Sequence, residues 1–171
     1  LEFRRVLFRS QPLKVYLYRE GFARFANTPY STAKSDLKNQ YIHLTNHAIQ
    51  KRDVDYDPEV DDLKMPIRDL YAHILSKHGQ EAADRCFAGI HSVIINALRS
   101  VQQVMINDRH CYELYGYDVM IDENLRPWLI EVNHSPSFNM DSPLDARVKC
   151  GAIGDVLRAL NLDGEERRAW I

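Results

Sequence analysis

Cysteine is scarce in this chain, which has 171 residues and only three cysteines, at positions 86, 111 and 150. They form no C-x-x-C pair and no zinc-finger pattern, which is typical of a protein from a reducing compartment such as the cytosol. No apolar run approaches the roughly 20 residues that a membrane helix needs. A secretory signal peptide is not indicated either, because arginines interrupt the apolar segment near the start.

Net charge is also small, at −2, and therefore does not favour nucleic-acid binding. The length corresponds to about one domain that can bury a core. Residues 1–10 fit neither a clean strand nor a capped helix, and we predict a non-native N-terminal arm over residues 1–12, with a native, basic amphipathic arm as the alternative. The domain is expected over residues 13–162, followed by a loose, charged tail at 163–171. Because the chain starts without methionine, we expect a fragment of a longer protein.

The most informative polar residues lie on two predicted strands in the last third of the chain. Residues 118–122 and 128–133 alternate between the two faces of a strand, and the hairpin is expected to close around Asp122–Arg126. Side chains alternate along a strand, so Glu131 and Asn133 point the same way. The sequence therefore predicts a hairpin with polar residues on one face.

Within this hairpin, Asp118 is expected to lie opposite or nearly opposite Glu131, with Leu129 and Asn133 on the Glu131 face. Two carboxylates held that close repel, and a bound cation would offset the repulsion. Oxygen ligands without histidine or cysteine suit Mg²⁺ better than zinc. Solvated acids on an ordinary hairpin are the alternative, although the apolar neighbours of Glu131 make a solvated carboxylate harder to explain.

The remaining pattern predicts an α/β (α+β) protein with a mixed or antiparallel sheet flanked by helices. Residues 14–18 and 22–25 read as a hairpin with a break between them, and residues 40–46 read as a strand. Apolar periodicity predicts three helices, over residues 67–78, 80–106 and 141–160, the last capped by Ser142 or Asp141.

Polar clusters interrupt the apolar strands at Arg19, at residues 43–51, and at the hairpin acids. Polar residues at the ends of sheet strands are where α/β enzymes usually keep their sites. Cations and carboxylates without a serine or cysteine nucleophile fit ATP-dependent carboxylate activation. Arg19 and Lys51 could hold phosphate or a substrate carboxylate.

Four motifs resemble the tubulin tyrosine ligase-like family in order and spacing, over roughly residues 13–150. They are Tyr18-Arg-Glu-Gly-Phe-Ala-Arg-Phe25, His43-Leu-Thr-Asn-His-Ala-Ile-Gln-Lys51, Glu113-Leu-Tyr-Gly-Tyr-Asp118 and Trp128-Leu-Ile-Glu-Val-Asn-His-Ser-Pro-Ser137. The last motif resembles the glutamylase branch more than the tyrosine ligase itself. The resemblance implies an ATP-grasp fold, of which this chain matches the C-terminal half.

The resemblance also implies roles for individual residues. The Mg²⁺ ligands are Asp118, Glu131 and Asn133. The nucleotide lies against His43, Thr45 and Asn46. The incoming amino acid contacts Arg19, His47 and Lys51, with Arg19 also catalytic.

The implied activity is that of a tubulin polyglutamylase, which uses ATP and Mg²⁺. ATP phosphorylates a glutamate side chain of a tubulin tail, and free L-glutamate then attacks the acyl phosphate. The family's N-terminal half supplies the adenine pocket and phosphate-binding lysines, so we expect this chain alone to be inactive.

Two alternatives remain at this point. One is a ligase of the same family that adds glycine or tyrosine. The other is a degenerate, non-catalytic member that only binds microtubules. In each case the expected partner is tubulin, with no nucleic acid or membrane, and the expected location is the cytoplasm and cytoskeleton, with the cilium or basal body as a candidate.

Overall fold

The computed structural model describes the backbone of residues 2–10 together with residues 13–53, 63–105 and 112–160, the side chain of His47 excepted. In chain order, its elements are β1 (Glu2–Ser10), β2 (Leu13–Leu17), β3 (Phe22–Arg24), α1 (Gln40–His43), α2 (His47–Gln50), β4 (Lys64–Pro66), α3 (Ile67–His78), α4 (Gln80–Val101), β5 (Glu113–Ile121), β6 (Pro127–Asn133) and α5 (Pro143–Leu160). The strands form one sheet, and every pair among the described strands is antiparallel. The predicted α/β class with an antiparallel sheet is confirmed.

β1 lies in the middle of the sheet, whose strand order is β4-β3-β1-β5-β6 with β2 also paired to β1. The expectation that residues 2–10 form no regular element is therefore wrong. β1 has partners on both edges, so tertiary pairing prevails over an irregular local pattern. The division of the chain into arm, domain and tail stays a prediction, and residues 161–171 lie outside the described residues.

β2 and β3 do not form the predicted hairpin. Leu17 pairs with Val6 and Phe22 pairs with Glu2, so both strands run antiparallel to β1. β5 occupies the other edge of β1, which places β2 and β3 one after the other along the same edge. The segment between them contains Arg19. It interrupts the pairing with β1, and the chain continues in the same direction after it instead of turning back.

Helices α3 and α4, which the apolar periodicity predicts, cover one face of the sheet. Their buried residues pack on those of the strands, including Ile74 and Ile94 from the helices and Tyr117 and Val119 from β5. Gly79, with φ +82°, ends α3, because only glycine adopts this backbone conformation readily. α4 ends at Val101, five residues before the predicted end at 106.

The strand predicted at residues 40–46 is wrong, because this segment forms the short helix α1 and the turn that leads to α2. The side chain of Asn39 caps α1 by accepting a hydrogen bond of 3.0 Å from the Tyr41 backbone. Gln50 is fully buried, and its Nε2 donates to the carbonyl oxygens of Tyr41 and Leu44 at 3.0 and 2.5 Å. Its Oε1 accepts from the Asn27 backbone at 2.9 Å. These nonlocal bonds favour a compact turn over an extended strand.

α5 is anchored to the sheet by a buried ionic cluster, which we call the ion triad: Lys64, Asp145 and Lys149. The Nζ of Lys64 lies 2.5 Å from Oδ2 of Asp145, and the Nζ of Lys149 lies 3.9 Å from Oδ1. Ser142 caps the helix, since its Oγ accepts from the Asp145 backbone at 3.1 Å. Of the two predicted caps, Ser142 is confirmed.

β6 forms an edge of the sheet and exposes much of its apolar surface. Four of its side chains are exposed by 39 to 58%: Trp128, Leu129, Ile130 and Val132. Within the ranges that the structure describes, no helix is long and apolar enough to span a membrane.

Replacing Gln50 with leucine should lower the free energy of unfolding by about 1–3 kcal/mol, because buried carbonyl and amide groups lose their partners. Chemical denaturation measures the change. Gln103→Leu, at an exposed position, is the control and should change stability by less than about 0.5 kcal/mol. Equal effects of the two substitutions would contradict the role of Gln50.

Asp145 should make the protein sensitive to acid. Burial raises the pKa of Asp145, but the hydrogen bond and charge of Lys64, and then the charge of Lys149, outweigh it, so the pKa lies below its ordinary value of 3.8. A carboxylate with a depressed pKa stabilises the fold above the unfolded-state pKa, and this contribution is lost as the pH falls through the folded-state value.

The midpoint of thermal unfolding should therefore fall steeply below about pH 4. Asp145→Asn should lower the midpoint at pH 7 and flatten its decline in acid, because no carboxylate remains to be protonated. The exposed Asp69→Asn serves as the control. An unchanged acid slope in Asp145→Asn would refute this assignment.

Candidate active site

Asp118 and Glu131 are cross-strand partners in the β5–β6 pair. Cross-strand partners point to the same face of a sheet, with Cβ atoms about 4.5–5.5 Å apart. Gly116 pairs with Asn133 two residues along, so Asn133 lies on the same face as the acids. The predicted convergence of two carboxyl groups and one amide is confirmed.

A β-bulge reverses the predicted faces of the β6 residues that precede Glu131. The register shifts between Asp118 and Val119, so that Val119 pairs with Leu129 and Met120 pairs with Trp128. An extra residue in one strand reverses the alternation of the side chains that follow. Leu129 therefore lies on the core face. The prediction that it shares the face of Glu131 is wrong.

Hydrogen bonds join the three polar side chains into one cluster. The Nδ2 of Asn133 donates to Oε1 of Glu131 at 3.0 Å. The pKa of Glu131 lies below its usual range, chiefly because the Asn133 amide donates to its carboxylate and also because the Asp118 carboxyl is hydrogen-bonded to it. Desolvation raises this pKa, but by less than the two hydrogen bonds lower it. The Oδ1 atom of Asp118 is buried. Two carboxyl groups in hydrogen-bond contact can share one proton or one cation between them.

The donor set of this cluster fits a hard cation. Carboxylate and amide oxygens are the ligands that Mg²⁺ prefers. Among the described residues, no group of three or more His, Cys, Asp and Glu side chains could hold a metal. A metal held between the two carboxyl groups would therefore take the amide of Asn133 as its third protein ligand, and water or substrate oxygens would fill its remaining positions.

The turn between the strands holds their register. The Oδ1 atom of Asp122 accepts from the backbone of Asn124 and Arg126, at 2.9 Å each. Its Oδ2 accepts from the indole nitrogen of Trp128 at 2.9 Å, and the guanidinium of Arg126 stacks 4.2 Å from the centre of that ring. The hairpin closes over Asp122–Arg126 as the sequence predicts, which keeps Asp118 and Glu131 opposite one another.

The loop after β6 folds back over the acid-bearing face. A side-chain carbon at Gly116 would lie 3.1 Å from Cβ of Pro136, a tight contact, so a glycine favours this close approach. The ring of His134 contacts Ser135, whose Oγ lies 2.7 Å from its Nδ1. The loop therefore leaves Asn133 along a restricted path.

The segment expected to contact the nucleotide, at residues 43–46, lies on α1 and the turn before α2. Nε2 of His43 lies 3.1 Å from the carbonyl oxygen of Asp36. Thr45 and Asn46 are exposed. Oδ1 of Asn46 accepts from the Ala48 backbone at 3.1 Å, which caps α2 and leaves its amide nitrogen as a donor.

The residues expected to bind the amino acid come from two places in the fold. Lys51 is exposed in the turn after α2, and His47 begins α2, although its side chain lies outside the described part. Arg19 lines a cleft of about 730 Å³ between β2 and α5, together with Glu20 and Asp155. The structure therefore does not place Arg19 in the acid cluster itself.

Several residues that shape this site are not evident in the sequence. Gln50 lies in a recognised motif but carries no sign of burial. Asp145 and Lys149 are four residues apart on one helix, a spacing that signals contact, whereas nothing local points to Lys64 as their partner. Met120, which is 55% exposed beside the acids, adds apolar surface to the site.

The similarity of this chain to known proteins points to one family. The model of the tubulin-tyrosine ligase family matches residues 5–168. A Bos taurus protein named "Probable tubulin polyglutamylase TTLL9" is 43% identical over 161 residues, which are 92% of this chain and 34% of that protein. The "Probable alpha-tubulin polyglutamylase Ttll1" of Tetrahymena thermophila is 44% identical over 146 residues, or 85% of this chain and 35% of that protein.

The mouse "Tubulin polyglutamylase TTLL5" is 37% identical over 159 residues, which cover 85% of this chain and 12% of that protein. The chain thus spans about a third, or less, of the length of these relatives. The family match extends over nearly all of its residues, and this chain belongs to the tubulin-tyrosine ligase family.

Proposed function

We propose that this chain is the metal-binding part of a ligase that adds glutamate to side-chain carboxylates of tubulin tails, with ATP and Mg²⁺. One observation carries the proposal, namely the hydrogen-bonded set of Asp118, Glu131 and Asn133 on neighbouring strands. It occurs in a chain whose relatives are named tubulin polyglutamylases. An ATP-grasp fold is part of the proposal, supported by the antiparallel sheet with an acid pair on adjacent strands.

Asp118, Glu131 and Asn133 are the proposed Mg²⁺ ligands. Their two carboxyl groups repel when both are ionised, so the cluster gains most from a divalent cation. Glu131 is exposed, which leaves such an ion accessible to phosphate oxygens. A Mg²⁺ held here would neutralise charge on the phosphates of ATP.

His43, Thr45 and Asn46 are the proposed nucleotide contacts. The Thr45 hydroxyl and the Asn46 amide are exposed, and Gln50 fixes the backbone that carries them. A rigid backbone lowers the entropy that ligand binding must offset. These residues therefore suit the binding of a polar ligand such as the ribose or a phosphate.

Arg19, His47 and Lys51 are the proposed contacts of the incoming amino acid. Free glutamate has two carboxylates, and Arg19 and Lys51 supply two cations that can hold it in one orientation. Arg19 is also proposed as the catalytic residue, because a guanidinium can stabilise the charge that develops on a transferring phosphoryl group.

The proposed reaction has two steps. A carboxylate oxygen of a tubulin glutamate attacks the γ-phosphorus of ATP, the bond to the bridging oxygen breaks, and ADP leaves. The amino nitrogen of free L-glutamate then attacks the acyl carbon. Phosphate leaves with the electrons of the C–O bond, the nitrogen loses a proton, and a branched peptide bond remains.

Tubulin tails on microtubules and free L-glutamate are thus the proposed partners, and the cytoplasm and cytoskeleton, including cilia or basal bodies, the proposed location. Names of the relatives favour glutamate over glycine or tyrosine as the added amino acid. The presence of Asp118, Glu131 and Asn133 together favours an active ligase over a non-catalytic microtubule-binding protein.

Glu131→Gln in the full-length protein should lower kcat/KM for tubulin glutamylation by at least about 100-fold, because a metal ligand loses its charge. Incorporation of labelled glutamate measures the activity. Glu123→Gln, in the exposed turn of the same hairpin, is the matched control and should retain activity. Unchanged turnover of Glu131→Gln with Mg²⁺ present would contradict the ligand assignment.

The 171-residue chain alone should show no ligase activity, whereas its full-length parent should be active. The chain supplies the acids and Arg19, but in the proposed fold the adenine pocket and the phosphate-binding lysines come from the other half of the domain. The same glutamate incorporation assay, with folding checked by circular dichroism, tests this. Robust glutamylation of tubulin tails by the chain alone would overturn the expectation.

A further inference from the structure

The ion triad and the acid cluster share one face of the sheet. Phe22, Asp118 and Glu131 lie in one cross-strand row, joined through Glu2 of β1, so their side chains point to the same face. Lys64 lies two residues from Pro66, the partner of Phe22, and points to this face as well. Its Nζ accordingly lies 5.3 Å from the centre of the Phe22 ring.

Within the triad, Lys64 and Lys149 act on different parts of the fold. Lys64 belongs to β4 and pairs with Asp145 at 2.5 Å, which fixes the first turn of α5 against the sheet. Lys149 lies one turn further along α5, and its Nζ donates to the carbonyl oxygen of Asn139. Asn139 lies in the loop between Asn133 and α5, so Lys149 connects this loop to the helix.

The same loop is held at a second point. Pro136 packs over Gly116, the strand partner of Asn133, so closely that a side-chain carbon at Gly116 would lie 3.1 Å from its Cβ. The loop is thus restrained at Pro136 and at Asn139, three and six residues after Asn133. Only a short stretch of backbone therefore separates either restraint from Asn133.

The side chain of Lys149 is buried, and a buried charge suggests a specific role for the lysine. Its side chain is only 6% exposed, and that of Asp145 only 1%. Taking charges out of water is costly, and packed apolar residues often stabilise a fold equally well. A buried lysine does, however, supply directed hydrogen bonds, which an apolar residue cannot. The role that fits Lys149 is to fix the position of the Asn139 carbonyl.

We propose that Lys149 is a positioning residue of the metal site, acting through the loop that begins at Asn133. The inference rests on the proposed function, because it assumes that Asn133 holds a divalent cation. The contacts of the Lys149 Nζ are with the Asn139 carbonyl and with Asp145, so the role proposed for this residue is indirect. It holds the loop so that the amide of Asn133 faces the two carboxyl groups without rearrangement.

The test compares Lys149→Met with Lys64→Met in the full-length protein. Both substitutions remove a buried cation beside Asp145, so both should lower thermal stability. Only Lys149→Met also removes the donor to Asn139. Lys64→Met is therefore a matched control for general loss of stability.

Two measurements separate positioning from stability. Mn²⁺ serves as the probe of the metal site, with its binding followed by electron paramagnetic resonance. Lys149→Met should raise the half-saturating Mn²⁺ concentration about tenfold, and Lys64→Met less than about twofold. Hydrogen exchange of the amides at residues 134–140 should accelerate in Lys149→Met, while Lys149→Arg should restore most of the protection.

Equal Mn²⁺ affinities in Lys149→Met and the unchanged protein would overturn the inference, as would equal losses in both methionine variants. If Lys149→Met does not fold, Lys149→Gln tests the same contact, because its shorter, uncharged side chain weakens the bond to the Asn139 carbonyl. Unchanged Mn²⁺ affinity in Lys149→Gln would then refute the inference. An unchanged protein that binds no Mn²⁺ would instead refute the proposed function, and the inference with it.

Discussion

The register of β5 against β6 is the constraint on which the rest of the site depends. Asp118 and Glu131 meet only because these two positions are cross-strand partners, and a slip of one residue would turn them to opposite faces. Their mutual repulsion opposes this register. The turn at Asp122, the core packing of Val119, and the bulge between Asp118 and Val119 act in its favour. The fold thus forces two acids together, which is the condition for a cation site.

Features that depend on neighbouring residues could be predicted from the sequence. The hairpin and its acid pair follow from alternation, and α3 follows from apolar periodicity with Gly79 as its stop. Ser142 could be predicted as a cap because it precedes a proline at the first turn of α5. In each case the information lies within a few residues, where backbone geometry fixes the direction of every side chain.

Features that depend on distant partners could not be predicted in this way. Residues 40–46 resemble a strand until Gln50 bonds to the carbonyls of Tyr41 and Leu44. β2 and β3 resemble a hairpin, but β1 offers both of them the same edge. Lys64 has no local sign of its partner, which lies 81 residues away. The bulge could not be predicted either, because it depends on the pairing register of two complete strands.

The edge position of β6 has a consequence for the behaviour of the chain in solution. An apolar strand at a sheet edge is a template for pairing with another molecule, and such segments promote aggregation. Glu131 interrupts the apolar run of this strand with a charge, in the manner of the gatekeeper residues that flank aggregation-prone segments. The carboxylate proposed to hold a cation thus also places a charge on this exposed edge, and neutralising it would leave the apolar run of β6 uninterrupted.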